Sequence, residues 1–126
     1  MIFKISIVLM VLVLAFAIYQ TAWHGIQSRK LGVLIKGHTG WATFTLCWML
    51  ATIIVIELSV RFMEHAPRGA LFSVHLPFAG ALAVVIVLMR FIFTGKKFQK
   101  THRWLSYACY VCAAVAIPTG IALAFR

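Results

Sequence analysis

The sequence is poor in acidic residues and in charge of any kind. Its 126 residues include two Asp or Glu against twelve Lys or Arg, and only 11% of the residues are charged. A soluble domain is charged at about a quarter of its residues, so this composition excludes a water-soluble monomer. The cations lie between apolar runs and form no soluble basic face. They therefore argue against nucleic acid as a partner and favour a lipid bilayer surface.

The chain also has few cysteines and no recognisable catalytic set. The three cysteines, Cys47, Cys109 and Cys112, all lie within apolar runs, which excludes an extracellular disulfide framework. Cys109 and Cys112 have the spacing of a redox pair, but inside an apolar helix we interpret them as small packing residues. The sequence shows no Ser-His-Asp set, phosphate-binding loop or catalytic carboxylate pair. It thus predicts neither hydrolysis nor phosphoryl transfer, and it leaves open whether the protein is an enzyme of another kind.

Hydrophobic residues are what the chain has in excess. They make up 63% of the sequence, and the mean hydropathy is +1.01, enough for about four bilayer spans of roughly 20 residues each. We predict helices over residues 5–19 (reaching residue 23 with the aromatic belt), 39–60, 71–89 and 104–125. The connections are short and polar, and they lack the composition of an interdomain linker. The sequence therefore predicts an all-α integral membrane protein, an up-down four-helix bundle with residues 1–126 in a single domain.

The basic residues are distributed unevenly between the two ends of this bundle. Eight belong to the first and third loops or their borders: Arg29, Lys30, Lys36, Arg90, Lys96, Lys97, Lys100 and Arg103. Four belong to the other end: Lys4, Arg61, Arg68 and Arg126. Because Lys and Arg are enriched on the cytoplasmic side of a membrane, we expect the first and third loops in the cytoplasm and both termini outside. We also expect the basic segment 95–100 to contact anionic lipid headgroups.

Five histidines are the most informative polar residues. Ionisable side chains in or beside a membrane span are costly, and those that occur usually face the bundle interior and have a function there. His24 ends the first predicted helix, while His38 and His102 open the second and fourth, so the topology brings all three to the cytoplasmic end. His65 follows the second helix and His75 lies near the start of the third, which places both at the outer end. Histidine clusters at both ends are what a transmembrane electron carrier requires.

The first hypothesis for these residues is a b-type haem at the cytoplasmic end. His38 and His102 would be its axial ligands, with His24 as the substitute candidate, because neutral imidazole is a common axial ligand of haem iron. A flat macrocycle can approach the backbone at glycines, and four are available: Gly37, Gly40, Gly80 and Gly120. The alternative is that the three histidines only anchor helix ends at the headgroup level, beside Trp23, Trp41 and Trp104.

The second hypothesis is a metal site at the outer end. Glu57, His65 and His75 offer a carboxylate and two imidazoles, a donor set that suits copper or another divalent metal. His65 and His75 are alternatively the ligands of a second haem, which would let the protein carry electrons across the membrane. A further alternative leaves no site at all, because Glu57 and Arg61 are spaced i, i+4 and can neutralise each other.

The second half of the chain carries four short motifs: Val74-His75-Leu76-Pro77-Phe78-Ala79, His102-Arg103-Trp104-Leu105, Tyr110-Val111 and Thr119-Gly120. They resemble a family of small bacterial membrane proteins, of no assigned biochemical role, that is linked to assembly of haem-copper cytochrome oxidases. That family has a His at the head of one helix, a His-Arg pair opening the next, and Tyr-Val followed by Thr-Gly within it. In the second helix the likeness is looser: His38 matches a family histidine, but His65 lies several residues beyond the position of its partner.

The resemblance implies a protein of the bacterial inner membrane that handles haem or a metal. Together with the histidines it favours a small, multi-pass subunit that binds haem b or a metal and serves in electron transfer or anchoring within a respiratory-type complex. An oxidase assembly factor that handles metal or haem is one alternative, and a purely structural accessory subunit is another. In each case we expect larger membrane subunits as partners, because little of the chain lies outside the bilayer to bind anything else.

Overall fold

The computed structural model of the chain describes residues 2–62 and 69–125. It contains four long helices: α1 (Ile2–Leu31), α2 (Lys36–Phe62), α3 (Ala70–Phe91) and α4 (Gln99–Ala124), with one turn of 3-10 helix at Lys96–Phe98 directly before α4. The described ranges contain no strand. The predicted all-α fold with four helices is therefore confirmed.

Each helix is long and apolar enough to cross a membrane. The four candidate spans are Lys4–Leu31, Lys36–Ile56, Ala70–Phe91 and Lys96–Ala124, with mean hydropathies between 1.7 and 2.3. At a rise of about 1.5 Å per residue, each exceeds the roughly 30 Å of bilayer hydrocarbon. Only 11 to 22% of the residues in these spans are buried, so large apolar side chains cover the outside of the bundle. That surface suits lipid, and the chain has the properties of a membrane protein.

All four helices are longer than the apolar runs predict, and α1 and α4 differ most. α1 continues to Leu31, well past the predicted end near residue 23, and α4 begins at Gln99 instead of residue 104. Hydropathy marks the part of a helix that lies in lipid, whereas main-chain hydrogen bonding continues into the polar surface layer. α1 stops where Gly32 takes a φ of 66°, the left-handed conformation that commonly ends helices and that glycine adopts without strain. His24 therefore lies inside α1 and does not end it.

The helices pack as two antiparallel hairpins. α1 packs mainly on α2 and α3 on α4, and the contact between α1 and α4 joins the hairpins, while α2 and α3 touch least. The Trp48 indole N–H of α2 donates to the Met10 carbonyl of α1 at 2.9 Å, and the Thr21 and Thr45 hydroxyls meet across the same pair at 3.0 Å. The predicted up-down connectivity is confirmed.

The core of the bundle is apolar and draws on all four helices. Its members are Leu14, Ile18, Leu46, Met49, Leu82, Ile86, Cys109, Ala113 and Ala116. Cys109 lies among them as a small residue of α4, the environment expected for packing at a close helix contact. This core fixes the relative positions of the helix ends, where the histidines lie.

Candidate cofactor site

Three histidines lie at the same end of the bundle, on three different helices. His24 belongs to the last third of α1, and His38 and His102 belong to the first turns of α2 and α4. The ring centroids of His38 and His102 are 6.2 Å apart, and the ring planes make an angle of 74°. Within the described residues α2 and α4 are not packing neighbours. The two imidazoles therefore approach each other from helices that do not pack directly on one another, and a haem bound between them stays a prediction.

All three rings are held by the same kind of hydrogen bond, from Nδ1 to a main-chain carbonyl oxygen. The acceptors are the carbonyls of Gln20 for His24 (2.7 Å), Thr21 for His38 (2.9 Å) and Phe93 for His102 (3.1 Å). A carbonyl oxygen only accepts, so Nδ1 of each ring must carry the proton. In the neutral imidazole the lone pair is then on Nε2. Histidines that ligate metals are usually oriented in this way, by a hydrogen bond from the other ring nitrogen.

Two glycines make room for the rings between α1 and α2. His24 lies so close to Gly37 that a Cβ atom there would be 2.7 Å from its Cδ2, and a Cβ on Gly25 would be 3.1 Å from Cε1 of His38. The contacts are reciprocal: the pair His24-Gly25 on α1 faces the pair Gly37-His38 on α2. Each imidazole is thus pressed against the backbone of the opposite helix, which fixes its position as well as its orientation.

The glycines therefore serve a different purpose from the one that the sequence predicts. The space where a side chain would lie is filled by the His24 ring at Gly37 and by the His75 ring at Gly120. A Cβ on Gly40 or Gly80 would have no other group within 4 Å. Backbone exposed at Gly37 and Gly120 is consequently used to seat histidines and is not open to a macrocycle. Gly25, which the sequence-based hypothesis leaves out, belongs to the same arrangement. Its signal in the sequence is the mirrored order His-Gly and Gly-His on either side of the first hairpin.

His75 lies on α3, at the other end of the bundle, and its ring forms a hydrogen bond with a residue of α4. Its Nδ1 is 3.0 Å from the Thr119 hydroxyl oxygen, and that hydroxyl donates to the Val115 carbonyl at 2.7 Å. Because the hydroxyl proton is used there, the His75 Nδ1–H is the donor to Thr119, and its Nε2 has the lone pair. A Cβ on Gly120 would lie 3.0 Å from Cε1 of His75. The Thr119-Gly120 dipeptide therefore positions this histidine.

The metal site predicted at this outer end lies mostly outside the described residues. His65 belongs to the segment 63–68, and the side chain of Glu57 is likewise not described. A site made of Glu57, His65 and His75 thus stays a prediction. Thr119, the partner of His75, follows His102 by 17 residues on α4. At about 1.5 Å per residue, the histidine sites at the two ends of the bundle are therefore about 26 Å apart along this helix.

The spacing of His38 and His102 matches two ligands on opposite sides of one metal atom. A metal–imidazole bond is about 2.0–2.1 Å long, and the ring centre lies about 1 Å behind the nitrogen. Two imidazoles on opposite sides of a metal therefore have ring centroids about 6 Å apart, whereas two imidazoles in a tetrahedral site have centroids about 5 Å apart. The observed 6.2 Å is close to the value for opposed rings, and it is equally the distance of an edge-to-face contact between two rings. Among the residues that the structure describes, no group of three or more His, Cys, Asp or Glu could hold a metal ion.

Comparison of the chain with protein-family models, with curated proteins and with solved structures finds no match. The resemblance noted in the second half accordingly stays a prediction, and the inference of function depends on the geometry of the histidines.

Proposed function

We propose that the chain is a small integral membrane subunit that binds haem b through His38 and His102 and serves in electron transfer or anchoring within a respiratory-type membrane complex. The observation that carries this proposal is the pair of imidazoles 6.2 Å apart, each with Nδ1–H bonded to a carbonyl and Nε2 left with its lone pair. Bis-histidine ligation of iron needs this spacing and this tautomer together.

The three histidines differ in how well they suit this role. Nε2 of His24 would lie 3.0 Å from a Cβ on Gly37, so this nitrogen is pressed against the α2 backbone and has little room for a metal. The nearest atom of His38 to a Cβ on Gly25 is Cε1, and its Nε2 is farther away at 3.9 Å. We therefore assign His38 and His102 as the ligands and His24 as a residue that fixes the α1–α2 hairpin beside them.

A bound haem would supply a one-electron redox centre, and the chain's own residues would set its position and surroundings. Thr21 and Phe93 hold the two ligand rings through their carbonyls. The apolar core begins about two turns further along α2 and α4, at Leu46 and Cys109, and would lower the polarity on the inner side of the centre. His75, preset in the same tautomer at the opposite end, is the ligand we propose for a second centre. Copper or another divalent metal bound with His65 and Glu57, or a second haem bound with His65, are the two candidates there.

Two other functions agree with the same fold. The motifs around His75 and His102 support an oxidase assembly factor that handles metal or haem only transiently. The largely apolar exterior supports a structural accessory subunit that packs against larger membrane partners. The assembly-factor function predicts substoichiometric cofactor and a fall in oxidase content when the gene for this protein is deleted. The structural-subunit function predicts that replacing all five histidines leaves the activity of the complex intact.

The proposal is tested by the absorption spectrum and iron content of the protein purified in detergent. We expect a Soret band and, on reduction, an α band, with iron in equal molar amount to the chain. His38→Ala and His102→Ala should each abolish the bands while far-ultraviolet circular dichroism stays helical, and His24→Ala should keep them. A colourless, iron-free protein that also fails to take up added haem would refute the proposal, and so would bands that survive both ligand substitutions.

A further inference from the structure

The end of the bundle that holds His38 and His102 has a one-sided charge. All eight Lys and Arg of the first and third connections lie at this end, in the last turns of α1 and α3, in the first turns of α2 and α4, or between them. Of the chain's two acidic residues, Glu57 belongs to the last turns of α2, at the other end of the bundle, and Glu64 lies outside the described residues. Within the described residues, the end that holds the imidazole pair therefore has eight basic residues and no acidic one.

The helix termini add to this positive potential. His38 is the third residue of α2 and His102 the fourth of α4, and neither helix has an acidic residue in its first turn. The first turn of a helix presents unpaired N–H groups and the positive end of the helix dipole. Two such termini and the surrounding cations disfavour a bare divalent metal ion at the imidazole pair and favour a ligand with negative charge.

Lys36 and Arg103 are the cations nearest in sequence to His38 and to His102, respectively. Lys36 precedes His38 by two residues and Arg103 follows His102 directly, and both side chains are exposed. Within the part of the chain that the structure describes, neither side chain has a hydrogen-bond or ion-pair partner, a property they share with Lys30, Lys96 and Lys100. Arg90, by contrast, donates to the Thr43 hydroxyl at 3.4 Å, and the Lys97 ammonium lies over the Phe98 ring.

We propose that the site formed by His38 and His102 selects an anionic tetrapyrrole, whose carboxylates bind Lys36 and Arg103 on the basic side of the bundle. This inference rests on the proposed function and specifies the chemical class of its ligand. The imidazoles bind the metal at the centre of the macrocycle, and the cations bind the carboxylates at its edge. A ligand that lacks the carboxylates retains the first interaction and loses the second.

The test compares two ligands on the unaltered full-length protein. The apoprotein in detergent is titrated with ferric haem b and, separately, with its dimethyl ester, which is the same macrocycle with both carboxylates neutralised, and the Soret shift gives each Kd. Charge-assisted hydrogen bonds are stronger than neutral ones, so we expect the ester to bind about tenfold more weakly or worse. Raising the salt concentration should weaken binding of the acid and leave the ester unchanged.

Variants assign the effect to the two cations. Lys36→Gln and Arg103→Gln should weaken binding of haem b and have little effect on the ester, whereas Lys4→Gln, at the opposite end of α1, is the matched control and should affect neither. Equal affinity for both ligands, with binding still abolished by His38→Ala, would overturn this inference and leave the proposed function standing. Failure of both ligands to bind would overturn the two together.

Discussion

The contact between His24 and Gly37 makes Gly37→Ala a sharp test of the hairpin geometry. The new Cβ would lie 2.7 Å from Cδ2 and 3.0 Å from Nε2 of His24, closer than non-bonded atoms can approach. The ring must therefore move, and its 2.7 Å hydrogen bond to the Gln20 carbonyl would be strained or broken.

Two contributions destabilise the Gly37→Ala variant, and a third stabilises it. Overpacking typically costs about 1–3 kcal/mol, and loss of one hydrogen bond costs about 0.5–1.5 kcal/mol. Replacing glycine by alanine in a helix returns up to about 1 kcal/mol, and less here because Gly37 is the second residue of α2. We therefore expect Gly37→Ala to lower the free energy of unfolding by about 1–4 kcal/mol.

The assay is thermal unfolding of the protein in detergent, followed by circular dichroism. Gly40→Ala is the matched control, because it is on the same helix and a Cβ there has no other group within 4 Å. It should leave the protein unchanged or slightly more stable. Adding His24→Ala to Gly37→Ala removes the obstructing ring and should recover part of the loss, as a double-mutant cycle would report. Equal unfolding temperatures for Gly37→Ala and Gly40→Ala would refute the assignment of this contact.

Two further predictions concern partly buried hydrogen bonds elsewhere in the bundle. Thr119→Val removes the hydroxyl that accepts from the His75 Nδ1–H and should cost about 0.5–1.5 kcal/mol; Thr119→Ser should keep the bond, and equal unfolding temperatures for the two variants would count against a contribution of this hydrogen bond. Trp48→Phe removes the indole N–H that donates to the Met10 carbonyl and should cost about 0.5–1.5 kcal/mol. Trp104→Phe, at a side chain that is 66% exposed, is its control, and a loss of the same size there would contradict this prediction.

The sequence by itself determines the fold class and the ends at which the histidines meet. Four apolar runs and short connections leave an up-down helical bundle as the arrangement that a bilayer permits, because a spanning segment must satisfy its own backbone hydrogen bonds. That topology alone places His24, His38 and His102 at one end. The helix boundaries could not be predicted as well from the sequence: α1 reaches Leu31 and α4 begins at Gln99. Hydropathy does not report the part of a helix that lies beyond the hydrocarbon.

The tertiary structure decided how the three imidazoles are oriented and which nitrogens are available. The sequence proposes His38 and His102 as the pair, with His24 as the substitute; in the folded chain the rotation of each helix brings the His102 ring to 6.2 Å from that of His38 and presses His24 onto Gly37. The tautomers depend on carbonyls that are distant in sequence or one turn away, such as that of Thr21 for His38. Such contacts depend on helix rotation and packing, which hydrophobic periodicity cannot specify in a chain whose helices are apolar on nearly every face.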